Sequence, residues 1–271
     1  MIIDRRYIFA IVAIIVVIPL LFPIGIPILI TDDTRAVYAH INALAPGAVV
    51  MVSFDHEASS LPEVRPLAEA VVTHCFSRGL RVVGLALFAE GTAIGDEVLR
   101  SAAGRRGKIY GVDYVYLGYR PQYSAAILGM GESIKQVFPT DYSGTRYDDI
   151  AMLTGIRNYH DIAVVISIAD GSLPTYWVEY AHARYGERII AVLAASMVTA
   201  YKPNLKAHQL AGILGGLKGA AEYEKLLGYA GPATRAMDAQ STGHLTIAVL
   251  IVVGNMLTWV RRPGRMNASG G

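Results

Sequence analysis

The sequence predicts an α/β protein: a doubly wound, mainly parallel, five-stranded Rossmann-like sheet, flanked by an N-terminal and a C-terminal transmembrane helix. Three observations carry this expectation. Apolar runs of strand length, rich in Val and Ile, recur through the middle of the chain. Stretches with helical spacing separate them, and a βαβα succession builds a parallel sheet covered on both faces. Two uncharged apolar segments also lie near the chain ends, at 7–30 and 245–260. About 20 apolar residues suffice to cross the hydrocarbon core of a bilayer.

The first apolar segment is too long for the core of a signal peptide, and no small-residue cleavage site follows it, so it reads as an uncleaved anchor. Pro19, Pro23 and Pro27 recur every four residues, which predicts a kinked or irregular second half with a packing partner. Arg5 and Arg6 precede this segment, and Arg261, Arg262 and Arg265 follow the second one, whereas the inner flanks offer Arg35 and Arg235. That bias places both termini in the cytoplasm and the central domain outside it. The expected organisation is an anchor over 1–31 with a tail at 1–6, an α/β domain over 32–228, a linker over 229–243, a second span over 244–260 and a basic tail over 261–271.

Within the domain, strands are expected at 48–54, 80–88, 113–117, 162–168 and 188–193. They are continuous rather than alternating in polarity, as strands buried on both faces should be. Helices are expected at 62–78, 92–105, 123–137, 147–158 and 175–185. A glycine-rich helix is expected over 204–227, with small residues at every fourth position; Gly212, Gly215, Gly216 and Gly219 would then form a surface for close helix–helix approach, within the domain or between subunits. The polar stretch 139–146 reads as a mobile loop over the strand ends.

Composition narrows the function classes. The chain has 271 residues, 53% of them hydrophobic, and a mean hydropathy of +0.39. Two spans and one folded domain account for that balance. A formal net charge of +2 argues against a nucleic-acid surface, which needs clustered cations; the basic 104–108 knot reads as a solvated turn. Cys75 is the single cysteine, which excludes an internal disulfide and fits a buried thiol.

Ligands of open parallel sheets sit outside the carboxyl ends of the strands. Those ends carry Asp55, His56 and Glu57 after the first strand, Glu90 after the second, Tyr119 and Arg120 after the third, Asp170 and Ser172 after the fourth, and Ser196 after the fifth. Such a rim has three readings. Asp55, Glu57, Glu90 and Asp170 could hold a divalent metal. Asp55 or Glu57 could serve as a general base, supported by His56, with Arg120 stabilising negative charge. The residues could also be helix caps and turns, the reading that Asp170-Gly171-Ser172 and Glu90-Gly91-Thr92 favour. Phosphate-loop, dinucleotide, zincin and nucleophile-elbow motifs do not occur. The 16 tyrosines include a cluster at Tyr110, Tyr114, Tyr116, Tyr119 and Tyr123, which favours a binding surface. The expected function is therefore that of a membrane-anchored interaction or scaffold protein, a homo-oligomer or a subunit of a membrane complex. A tethered ligand-binding or metal-dependent hydrolytic domain is the competing expectation.

Overall fold

The computed structural model describes residues 5–260. Ile28–Ala233 form one compact unit, and the segments before and after them form another. The tails at 1–4 and 261–271 lie outside the described residues, and with them the basic tail and its orientation signal.

In the terminal unit, helix α1 spans Arg5–Leu21 and stops where the prolines begin to dominate. Pro23 and Pro27 bracket a short non-helical stretch whose three free N–H groups converge on one carboxylate. Asp238 accepts from Ile24 (2.8 Å), Gly25 (2.9 Å) and Ile26 (3.1 Å). The packing partner that the prolines call for is thus a side chain near the other end of the sequence. Among the described residues, one helix is long and apolar enough to cross a membrane, Pro232–Trp259. The second expected span is not shown among the described residues, where α1 is a shorter apolar helix.

The domain unit opens with helix α2, Asp32–Asn42. The sheet strands are β1 Val49–Asp55, β2 Arg81–Ala86, β3 Tyr114–Tyr119, β4 Val164–Ala169, β5 Ile189–Leu193 and β6 Gly212–Gly215. All pair in parallel, in the order β3-β2-β1-β4-β5-β6. That is the doubly wound order, with its reversal between β1 and β4. Helices α3 (Leu61–Ser77) and α4 (Gly91–Arg105) connect the first three strands. Helices α5 (Tyr123–Glu132) and α6 (Ile134–Val137) follow β3, and α7 (Leu173–Tyr176), a π-helical turn Trp177–His182 and α8 (Ala183–Tyr185) follow β4. Helices α9 (Ala195–Lys206) and α10 (Gly216–Leu226) flank β6, and α11 runs Pro232–Val260.

The sixth strand corrects both the strand count and the helix expected over 204–227. GILG is too short for its pattern to stand out, and its glycines read as a helical row of small residues. Each glycine instead answers a close approach inside the domain. A Cβ on Gly212 would lie 2.7 Å from Val37 of α2, one on Gly215 would overlap Val198 of α9, and one on Gly219 would lie 3.3 Å from Leu214. Gly216 turns the strand into α10 at φ +69°, a conformation that suits glycine. The expected helix over 147–158 is a series of 3-10 turns, Tyr147–Asp149 and Ala151–Leu153. Tyr147, Ile150, Leu153 and Ile156 recur every third residue and are buried, a period that belongs to the tighter helix. The expected linker over 229–243 is also largely helix: Gly228 (φ +79°) ends α10, and Pro232, a favoured first helical residue, starts α11.

Two neighbouring glutamates of α10 hold both ends of this domain. Glu222, 1% exposed, accepts from the Thr31 N–H (3.0 Å), Thr31 Oγ1 (2.6 Å) and Thr34 Oγ1 (2.7 Å) where the chain comes in. Glu224, also 1% exposed, accepts from the Gly231 and Ala233 N–H groups, both at 3.0 Å, where it leaves.

Candidate functional site

The strand ends meet where β1 and β4 diverge. The first surprise is Asp55. The residue closes β1 and pairs in register with Ala169 of β4, and its side chain turns into the sheet rather than out of it. It is 3% exposed and accepts four hydrogen bonds: from Ser53 Oγ (2.7 Å) and the Leu87 N–H (3.0 Å) on one oxygen, and from Ser167 Oγ (3.1 Å) and Trp177 Nε1 (3.2 Å) on the other. Burial pushes its carboxyl above the ordinary value, and the four donors work against that rise. All the acceptor positions of a carboxylate are thereby used. Asp55 binds β1, β2, β4 and the π-helical turn together.

Its partners were hidden in the sequence but had a signal. Ser53 and Ser167 are lone hydroxyls in otherwise apolar strands, and they face each other in register. A buried hydroxyl in such a place requires a polar partner. Trp177, fully buried, supplies an N–H that also needs an acceptor.

The loop after β1 turns its backbone towards two other strand-end carboxylates. The Glu57 N–H donates to Asp170 Oδ2 (2.9 Å), across the divergence of β1 and β4. The Ala58 N–H donates to Glu90 Oε2 (2.8 Å), from beyond β2. In dinucleotide-binding folds a phosphate takes the N–H groups of this first strand-to-helix loop. Here two of the protein's own carboxylates engage them. Glu63, in the first turn of α3, does the same for α9 by accepting from the Ala195 N–H at 2.9 Å.

The remaining rim residues divide between interior and surface. His56 is 1% exposed; its Nδ1 lies 3.2 Å from the Glu57 carbonyl oxygen, and its Nε2 has no hydrogen-bond partner among the described residues. Glu57 points to solvent, and Ser172 and Ser196 are exposed. Arg120 lays its guanidinium 5.0 Å from the centre of the Phe138 ring. A bulge at the end of β3, where Gly118 has φ +83°, shifts the register so that Tyr119 pairs with Ala86. Bulges re-aim side chains, and Tyr119 emerges at the surface with Tyr142 and Phe88.

The carboxylates therefore do not gather on one point. Among the described residues, no three His, Cys, Asp or Glu side chains are grouped as a metal ion requires. The 139–146 loop is also built differently from the expectation of a mobile flap. Buried Asp141 accepts from Tyr110 Oη (2.7 Å) and from the Ser143 and Thr145 N–H groups (2.9 and 2.8 Å). The Tyr142 N–H then donates to the Tyr116 carbonyl at 2.9 Å, which covers the outer edge of β3. No family model, curated protein or solved structure matches the chain, so its chemistry is read from these contacts alone.

Proposed function

We propose that this chain is a membrane-anchored, non-catalytic interaction or scaffold protein, whose domain self-assembles or docks onto a membrane complex. In its fuller form the reading has two passes, both termini in the cytoplasm and the domain outside. The observation that carries it is the hydrogen bond from the Glu57 N–H to Asp170. It ties the two loops that would have to open around a nucleotide or a substrate. With Asp55 saturated and Glu90 engaged, the reactive groups of the rim serve the fold. What remains outward is Glu57 with Phe88, Tyr119 and Tyr142, and aromatic residues of this kind suit protein contacts.

Photo-crosslinking from Tyr119→p-benzoylphenylalanine in the intact membrane tests this. A discrete adduct, either with a second copy or with one membrane protein, is expected. No adduct, together with monomers alone in native mass spectrometry, would remove the proposal. Stoichiometric retention of Mg²⁺, Mn²⁺ or Ca²⁺, lost in Asp170→Asn, would instead restore the metal-dependent alternative.

A further inference from the structure

The opposite edge of the sheet has a different chemistry. Helices of this fold run back from the strand carboxyl ends, so the α4–β3 turn and the end of α10 lie at the strand amino ends. That edge carries Arg78, Arg81, Arg105, Arg106, Lys108 and Arg188 on or beside its turns, against Asp113, Asp161 and Glu187, whereas Glu57, Glu90 and Asp170 mark the rim beside Arg120. The domain is thus cationic on the side from which α11 departs.

One turn stands out on this edge. Residues 104–113 read GRRGKIYGVD. Ile109 is 61% exposed and Val112 is 54% exposed, beside Arg105, Arg106 and Lys108. Within the domain, few aliphatic side chains stand so far out, and the sheet core does not use them. The single carboxylate of the turn, Asp113, is engaged by Lys108 (3.3 Å) and by the Ile109 N–H (2.9 Å). Arg106 is exposed and interacts electrostatically with Tyr229. Next to the turn lies a cavity of about 360 Å³, walled by Arg105, Arg106, Tyr229 and Pro232. Its acidic lining is already committed: Glu69 to Arg65 (3.0 Å) and Arg105 (3.3 Å), and Glu224 to the backbone after Tyr229.

Pro232 is at once a wall of this cavity and the first residue of α11. The helix has 29 residues, about 43 Å at the α-helical rise. A bilayer with its headgroup regions measures about 40–45 Å. The uncharged 245–260 stretch begins 13 residues after Pro232, about 20 Å at the α-helical rise, so chain connectivity keeps the cavity within that distance of the hydrocarbon of a bilayer that α11 spans. Cations beside exposed aliphatic side chains and a tyrosine are the composition of surfaces that rest on anionic bilayers.

We infer that the 104–113 turn and the adjoining Arg105/Arg106/Tyr229 cavity form a docking site for the phosphate headgroups of anionic phospholipid, with Ile109 and Val112 dipping into the interface. The inference rests on the reading of α11 as a membrane span.

The test uses the full chain in nanodiscs of phosphatidylcholine alone or mixed with phosphatidylglycerol. An environment-sensitive fluorophore is placed at Ile109→Cys, at Tyr142→Cys on the rim, or at Ile251→Cys within α11. Quenching is read from lipids carrying nitroxide near the headgroup or deep in the chains. The position-109 label is expected to be quenched from headgroup depth in the anionic discs and released by high salt, while the position-142 label is not. Arg105→Gln and Arg106→Gln should each lower the docked-to-undocked ratio about five-fold, the effect of one cation near an anionic surface. An unquenched position-109 label, or quenching indifferent to lipid charge and to both arginines, overturns the site. Release of the label by millimolar inorganic phosphate, at constant ionic strength, assigns the cavity to a soluble anion and overturns the lipid assignment. The position-251 label separates the two levels of the argument. Its quenching by deep nitroxide upholds the span whatever position 109 does, and its failure removes the reading on which the site rests.

Discussion

Replacing Asp55 tests whether it is a structural tie or a reactive rim group. In Asp55→Ala the Ser53 and Ser167 hydroxyls can rotate to other acceptors, but the Leu87 N–H and Trp177 Nε1–H cannot. Each buried donor left without an acceptor costs about 1–3 kcal/mol. The expected loss is therefore about 2–6 kcal/mol, reduced by removing a carboxylate whose burial raises its pKa. Asp55→Asn keeps one carbonyl oxygen and orphans one of the two donors, so a loss of about 1–3 kcal/mol is expected. The chain has two tryptophans, and Trp259→Phe leaves Trp177 as the sole reporter, in contact with the replaced group. Denaturant unfolding followed by its emission gives both values. If Asp55→Ala unfolds within about 0.5 kcal/mol of the parent, the scale of a neutral surface substitution, the tie does not exist and Asp55 returns to the list of reactive candidates.

Other consequences can be measured in the same background. Burial raises the Glu187 carboxyl to about 7 from 4.5. The folded state then holds the proton more tightly than the unfolded one, so stability falls as pH rises between those values, by about 3 kcal/mol; Glu187→Gln should abolish that component in paired unfolding curves. His74 acts with the opposite sign. Burial lowers it to about 4 from 6.5, so its contribution is gained as pH rises through that window, and His74→Phe should flatten it. The Cys75 thiol, fully buried and pushed up to about 12, should resist maleimides in the folded protein and react on unfolding. Gly215→Ala drives a methyl into Val198, and overpacking of this kind should cost about 1–3 kcal/mol in the same unfolding assay.

The parallel sheet was legible because VVMVSFD, RVVGLA and VVISIA are apolar on both faces, which few alternatives to a covered parallel sheet allow. Strand GILG was not, since four residues with two glycines carry no strand signature against a helical row of small side chains. The position of the candidate site was legible too, as strand carboxyl ends follow directly from a βαβ succession. The direction of each side chain was not. Asp55 and Glu57 stand two residues apart, yet one enters the sheet and the other meets solvent, because β1 ends between them. The engagement of Glu90 and Asp170 depends on loops that come together only when strand order is known. The lone serines of β1 and β4 were the available clue, and each becomes meaningful only once their register is set.

Glu222 and Glu224 sit two residues apart on α10 and grip the incoming and outgoing chain of the domain. The domain is thus a loop of chain pinned at a single bracket. Tension on either terminal segment reaches α10 before it reaches the sheet. The same bracket closes the domain into a self-contained insert, whose strands keep their register whatever chain leads into it and out of it.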